Sequence, residues 1–421
     1  MAYTQAIEQA SYNTPGFMNP HVRKLIANTM IAICTFSSGF VIFEPAPYDL
    51  LIILLFATWA LLGMKISRYI VPIFFLYTLF NFGGIIATTQ MDDFGRGMMY
   101  VAVSYFLALS SVFYASIILE DPSRLRIIFR AYVLGAVVTT ILGIIGYFGW
   151  IGGFERFTRY TRLMGAFQDP NVYAPFIVMP ILYLVYGMLN RGGILMLVRA
   201  AALLILIFGL FLAFSRAAWG LSLITGGLFY LLLVINEQSA KVRLKYIALG
   251  VVGVVSIIIL LAVALQFDAV SSLFAERFKV VQDYDGGELG RFARHALGYQ
   301  MAMELPLGVG PLEFGYMVGE DPHNNFIKAL MSHGWIGFVS WVIIMFWTLI
   351  AGFKLLFKQR PWLPYYQIAY VVFLGHCVIG NVIDTDHWRH YFFAVGVVWG
   401  CIAVEKTNER RLRMEAEQQA A

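Results

Sequence analysis

The chain is built from long apolar runs separated by short polar breaks. The runs fall near 25–44, 47–64, 69–89, 98–119, 127–150, 171–189, 194–214, 217–235, 246–266, 326–352, 364–383 and 391–405. Most reach or approach the ~18–20 residues that a helix needs to cross a bilayer. A β-barrel would show short alternating segments instead. The pattern predicts an all-α polytopic membrane protein of about 12 transmembrane helices. It also predicts the domain plan. Residues 1–266 hold the first nine spans with short loops, and 267–325 form a helical subdomain outside the membrane. Residues 326–405 hold the last three spans, and 406–421 are a tail rich in Glu, Arg and Gln that reads as a solvated helix end or a disordered tail.

Composition sharpens this reading. The chain has 421 residues, of which 60% are hydrophobic and only 13% charged. Soluble domains carry roughly 25% charged residues. Lys and Arg in the short loops set orientation. They collect as Arg23-Lys24, 65–68, 123–126, Arg191, 241–245, 354–360 and the tail, which alternate correctly with the spans if both termini are cytoplasmic. The net charge of +5 is therefore mostly topogenic and implies no nucleic acid. Residues 1–20 are polar and lack the apolar core of a signal peptide. Cys34, Cys377 and Cys401 are scattered in apolar runs, where a small buried thiol explains them.

Polar chemistry concentrates on the opposite, outer side. The 152–170 loop carries Arg156, Arg159 and Arg162, and its "QDPN" at 168–171 reads as a turn and helix start. Asp169 there could also orient a neighbouring arginine. Arg216 sits in "AFSRAAWG" between two apolar runs with almost no loop. It is either a snorkelling residue at a tight turn or the guanidinium that holds an anion in a cavity. The long loop adds Arg277, Lys279, Arg291, Arg294 and His295. In "EDPHNNF", Pro322 precedes His323, and Asn324 is a candidate helix cap. His323 then stands at the membrane rim, as a headgroup anchor or as a general base near neutral pH. His333 lies within the next span, where a buried hydrogen bond is expected. "DTDHWRHY" at 384–391 could suggest a metal through Asp384, Asp386, His387 and His390, but its spacing matches no strong metal pattern.

Together these motifs resemble the O-antigen ligase and O-antigen polymerase superfamily. The resemblance rests on "DPN" opening a middle span, "SRAAW" at the next outer turn, then "GR", "PLGVGPLEF" and "HNNFIKALMSHGWIGF". It covers mainly residues 150–340. It implies a GT-C-like fold at the bacterial inner membrane with a periplasmic active site. It implies transfer of a glycan from an undecaprenyl-pyrophosphate-linked donor to lipid A-core or another saccharide acceptor, with no cofactor and no required metal. The key residues it implies are Arg216, Arg291 and His323. Arg156, Arg159, Arg162, Asp169, Arg294 and Asn324 would then help bind substrate, and Arg294 could replace Arg291. A polymerase joining lipid-linked repeats is the chief alternative, and a transporter or flippase of lipid-linked glycans the second. A transporter would spread ionisable groups through its midplane, whereas this chain gathers them on one side.

Overall fold

The computed structural model describes residues 19–64, 66–190, 193–266, 271 and 290–420. The helices are α1 (Pro20–Ser37), α2 (Pro47–Leu61), α3 (Val71–Thr88), α4 (Phe94–Glu120) and α5 (Arg124–Tyr147). They continue with α6 (Pro170–Phe176), α7 (Val178–Asn190), α8 (Ile194–Leu212), α9 (Arg216–Asn236) and α10 (Ala240–Ala264). The rest are α11 (Arg291–Glu304), α12 (Glu313–Val318), α13 (Asn325–Phe353), α14 (Leu363–Ile379) and α15 (Arg389–Ala420). Each apolar run of the sequence overlaps helix, although 38–44 lies past the end of α1 and 171–189 is divided between α6 and α7. Among the described residues, seven helical stretches are long and apolar enough to cross a membrane, and α2 and α14 are shorter apolar helices. The chain is a multi-pass membrane protein.

Two departures from the expected pattern have local causes. The run at 171–189 is not one continuous helix. Pro175 and Pro180 each lack the N–H that would continue the ladder, and α6 gives way to α7 at Ile177. The Phe176 carbonyl left open by Pro180 instead accepts from the Tyr132 hydroxyl at 3.0 Å. The second departure is a small hairpin in an otherwise helical fold, β1 (Thr158–Arg159) against β2 (Arg162–Leu163). Tyr160 and Thr161 both take left-handed backbone angles, as a tight two-residue turn demands.

Close packing between helices is set by small residues, since lipid supplies no hydrophobic contrast between helix faces. α13 lies along α3 and α15 along α4. A Cβ on Gly83 of α3 would meet the His333 carbonyl oxygen of α13 at 2.5 Å, and one on Gly396 of α15 would meet the Ser111 carbonyl oxygen of α4 at 2.7 Å. α13 is itself kinked at Gly334, whose φ of 61° no ordinary helical residue adopts. The described part of the long loop, α11 and α12, packs Ala302, Val309 and Phe314 onto Ile327, Leu330 and Met331 near the start of α13. The segment 272–289, with Arg277 and Lys279, lies outside the described residues.

Contacts join several of the basic segments in pairs. Lys24 pairs with Asp121 at 3.0 Å, and the Lys245 ammonium lies 3.5 Å from the Leu189 carbonyl. Arg360 grips the buried Glu405 through Nε and Nη2, both at 2.8 Å, with Lys358 at 3.1 Å. α15 then runs on as an exposed helix to Ala420.

Candidate active site

The site is assembled where the chain enters α13. Asn324 is the N-cap: its Oδ1 accepts from the N–H of Phe326 at 2.9 Å and of Ile327 at 3.2 Å. Asn325 locks this end to the loop between α14 and α15. Its N–H donates to the Gly380 carbonyl at 2.7 Å, its Nδ2 to Thr385 Oγ1 at 2.7 Å, and its Oδ1 accepts from the Thr385 N–H at 2.9 Å. These bonds bring "DTD" at 384–386 beside "EDPHN" at 320–324.

His323 sits in that junction with a left-handed backbone, φ 50°. Its Nε2 lies 3.0 Å from Glu320 Oε1 and its Nδ1 3.4 Å from Asp384 Oδ2. Asp384 is the main cause that raises the imidazole pKa above its usual 6.5; burial opposes it and Glu320 adds to it. Glu320 is shared: its other oxygen accepts from Arg294 Nη1 at 2.5 Å. Burial alone would push the Glu320 pKa up, but His323 and Arg294 hold it below the usual carboxylate value. Arg294 comes from α11, whose His295 Nε2 donates to the Pro322 carbonyl at 2.6 Å.

One turn into α13, the Lys328 ammonium is buried among three carboxylates. It lies 3.4 Å from Asp386 Oδ1, 3.6 Å from Asp321 Oδ2 and 3.7 Å from Asp384 Oδ2. Asp386 also accepts from the Tyr100 hydroxyl at 2.7 Å and from His387 Nδ1 at 2.9 Å. Burial would raise the Asp386 pKa, yet Lys328 and then His387 hold it far below the carboxylate range. The Asp321 pKa is raised from its usual value, mainly by burial. Among the described residues, no group of three or more His, Cys, Asp or Glu is placed to hold a metal. In the 384–391 segment, Asp386 faces an ammonium, and Arg389 forms a two-pronged bridge to Asp49 at 2.6 and 2.8 Å.

A second basic cluster forms around the 152–170 loop. Arg162 Nε donates to the Ala213 carbonyl at 2.7 Å, and Nη2 to Asn171 Oδ1 at 2.8 Å. Asp169 caps α6 by accepting from the Asn171 N–H at 2.6 Å. Arg162 therefore ties this loop to the turn that launches α9, where Arg216 is the first helical residue and the buried Ser215 hydroxyl has no hydrogen-bond partner. Arg159 Nη1 donates to the Gln168 carbonyl at 3.0 Å, and Arg156 lies over the Phe157 ring at 5.2 Å. Arg291 opens α11; its side chain lies outside the described residues.

The two clusters occupy the same end of the bundle. Leu221 of α9 abuts Gly375 of α14, and Asn236 at the far end of α9 meets Gln359 before α14. α9 and α14 are thus antiparallel, and Arg216 is level with the Gly380 end that holds Asn325. Between the clusters, Phe167 and Val172 share the lining of a cavity of about 20 Å³ with His387 and Arg389, room for about one water.

His333 corrects an expectation. Neither ring nitrogen has a hydrogen-bond partner. The ring is stacked on Phe80 at 3.9 Å, turned flat by the kink at Gly334. Lys328, Tyr100 and Glu320 were not singled out from the sequence. A lone lysine in the first turn of an apolar helix is itself a signal, because an ionisable group at the edge of lipid is costly unless partnered.

A multi-pass helical protein with a histidine–carboxylate–ammonium cluster and arginine-bearing loops at one end is the class defined so far. Residues 201–342 match the family model described as O-antigen ligase. The matched stretch contains Arg216, Arg294, His323 and Lys328. The match supports the O-antigen ligase superfamily and, with it, ligase or related polymerase activity: an enzyme of glycosyltransferase type whose partners are a lipid-linked glycan and an acceptor. No curated protein matches the chain.

Proposed function

We propose that the protein is an inverting glycosyltransferase that moves a glycan from undecaprenyl pyrophosphate to an acceptor hydroxyl, ligating O-antigen to lipid A-core. It works at the periplasmic face of the bacterial inner membrane, with both termini cytoplasmic and twelve spans in a GT-C-like arrangement. The reading is supported above all by the placement of His323. The histidine stands at the mouth of α13, held at Nδ1 by Asp384, with Nε2 facing the open side through Glu320.

The chemistry follows from these positions. The acceptor hydroxyl takes the place of Glu320 at Nε2. Its oxygen attacks the anomeric carbon, its proton passes to Nε2, and the bond from that carbon to the pyrophosphate oxygen breaks. The neighbouring carboxylates Glu320, Asp384 and Asp321 are engaged by His323, Arg294 and Lys328, so the acceptor oxygen is the nucleophile in this reading, with direct displacement and inversion. The departing pyrophosphate gains negative charge. Arg216 and Arg291 receive it, with Arg294, Arg162, Arg159 and Arg156 as auxiliary cations. Asn324 caps α13 beside His323, and Asp169 caps α6, whose Asn171 accepts from Arg162. The polyprenyl tail lies in apolar grooves between helices.

Purified protein reconstituted with a lipid-linked glycan and lipid A-core tests this directly. Glycan transfer that disappears in His323→Ala, with thermal unfolding unchanged, is the expected result. Near-normal turnover of that variant removes His323 as the base. Loss of the protein in cells should leave unattached polymer on its carrier; single repeats would instead make it a polymerase.

A further inference from the structure

The Lys328 ammonium lies within 3.4–3.7 Å of three acids beside the base, Asp386, Asp321 and Asp384. Its ammonium lies 3.7 Å from the same Asp384 oxygen that lies 3.4 Å from His323 Nδ1. One carboxylate oxygen therefore faces two nitrogens from different elements, the imidazole from the 319–323 segment and the ammonium from α13. An ammonium that close draws negative charge away from the imidazole and restrains the carboxylate in one orientation. The other two acids also lie against Lys328, Asp321 at 3.6 Å and Asp386 at 3.4 Å. Asp386 is fixed in turn by the Tyr100 hydroxyl. The lysine is thus braced at a set distance from Asp384.

We propose that Lys328 is a positioning residue: by sharing Asp384 with His323 it sets how firmly the imidazole keeps its proton, and so the pH range in which His323 acts. This rests on the reading of His323 as base. Glu320 with Arg294 behind it and Asp384 face the imidazole directly, while Lys328, Asp321, Asp386 and His295 stand behind them. Glu320 and Asp384 favour the protonated ring. Lys328 opposes them, both by sharing Asp384 and by its own positive charge. Removing it leaves Asp384 wholly to His323, so the proton is held more tightly.

The probe is diethyl pyrocarbonate, which attacks imidazole in its neutral form and not as imidazolium. Modification of His323 is followed by mass spectrometry of its peptide across pH in the full-length protein, with glycan transfer measured alongside. In Lys328→Met, His323 should be modified about threefold more slowly near neutral pH, and the acidic limb of the transfer profile should move to higher pH. Lys328→Arg should restore both. Lys328→Met could unfold the chain by leaving three acids uncompensated, so Lys328→Met with Asp386→Asn is the second variant. That pair restores the net charge of the cluster but not the contact with Asp384, and should still show slowed modification. Modification at the wild-type rate in both methionine variants overturns the proposal. Because modification needs no substrate, slowed labelling in a protein that transfers no glycan would keep the Lys328 coupling and reject the transferase reading. Unchanged labelling in a protein that does transfer would do the reverse.

Discussion

Asn325 and Thr385 exchange two hydrogen bonds, Nδ2 to Oγ1 at 2.7 Å and N–H to Oδ1 at 2.9 Å. Both residues are buried, and their neighbours His323 and Asp384 are the pair on which the proposed base depends. The exchange is therefore what registers one loop against the other. Asn325→Ala would leave the Thr385 N–H unpaired in a site closed to water, a loss of about 1–3 kcal/mol. Thermal unfolding in detergent should fall accordingly, and transfer should fall further than stability because Asp384 is no longer held beside His323. Full transfer at a temperature where the variant is folded would show that the registration does not matter.

The pH dependence has a definite sign. A base must be neutral, and the folded His323 pKa lies above 6.5 because of Asp384 first and Glu320 second. Transfer should rise with pH through that raised value. Asp384→Asn removes the larger contribution, so the proton is held less tightly and the acidic limb should move to lower pH. The same raised value makes the pairing stabilise the fold below the unfolded pKa, with that contribution lost as pH rises through the folded one. A pH–rate profile of Asp384→Asn superimposable on wild type would separate Asp384 from the base.

Much of this was legible in the chain, for reasons that can be named. Helix positions follow largely from apolar length, which is why every run overlaps helix. Asn324 as a cap followed from Pro322 and the polar pair ahead of an apolar run. The break at Ile177 was also visible in Pro175 and Pro180, but a hydropathy window averages over it. The cluster around Lys328 was hidden for a different reason. Its members come from α4, the 319–323 segment, α13 and the loop before α15, and only tertiary packing brings Tyr100 to Asp386. His333 shows the converse: a histidine in an apolar helix suggested a hydrogen bond, whereas the backbone turn at Gly334 directs its ring onto Phe80.

Arg162 spans two elements with one side chain, Nε on the Ala213 carbonyl and Nη2 on Asn171. A lysine has a single nitrogen on a flexible stem and cannot satisfy two such acceptors in fixed geometry. Arg162→Lys should therefore free the 152–170 loop from the Ser215–Arg216 turn while keeping the local charge. With a charge-assisted bond worth about 1.5–3 kcal/mol, transfer should drop about tenfold or more. A salt titration of the residual activity separates this from a charge effect, since the charge is conserved. Unchanged transfer would mean that the loop and the turn act independently.

The crossing of α3 and α13 lies directly behind the site and gives a graded test of its rigidity. A Cβ on Gly83 would meet only backbone, the His333 carbonyl oxygen at 2.5 Å and the Gly337 nitrogen at 2.7 Å. Backbone cannot step aside, so Gly83→Ala must drive the two helices apart, at about 1–3 kcal/mol. A Cβ on Gly84 would meet the His333 ring at 2.7 Å and a Val101 methyl at 2.9 Å, side-chain atoms rather than backbone. Gly84→Ala should thus be the milder change in thermal unfolding, although its Cβ points closer to the stacked ring. Separation of α3 from α13 would also displace the kink at Gly334 and the turn of α13 that carries Lys328. Gly83→Ala should consequently lose transfer as well as stability, whereas Gly84→Ala should keep most of both. The reverse ranking would mean that α13 is held by other contacts than this crossing.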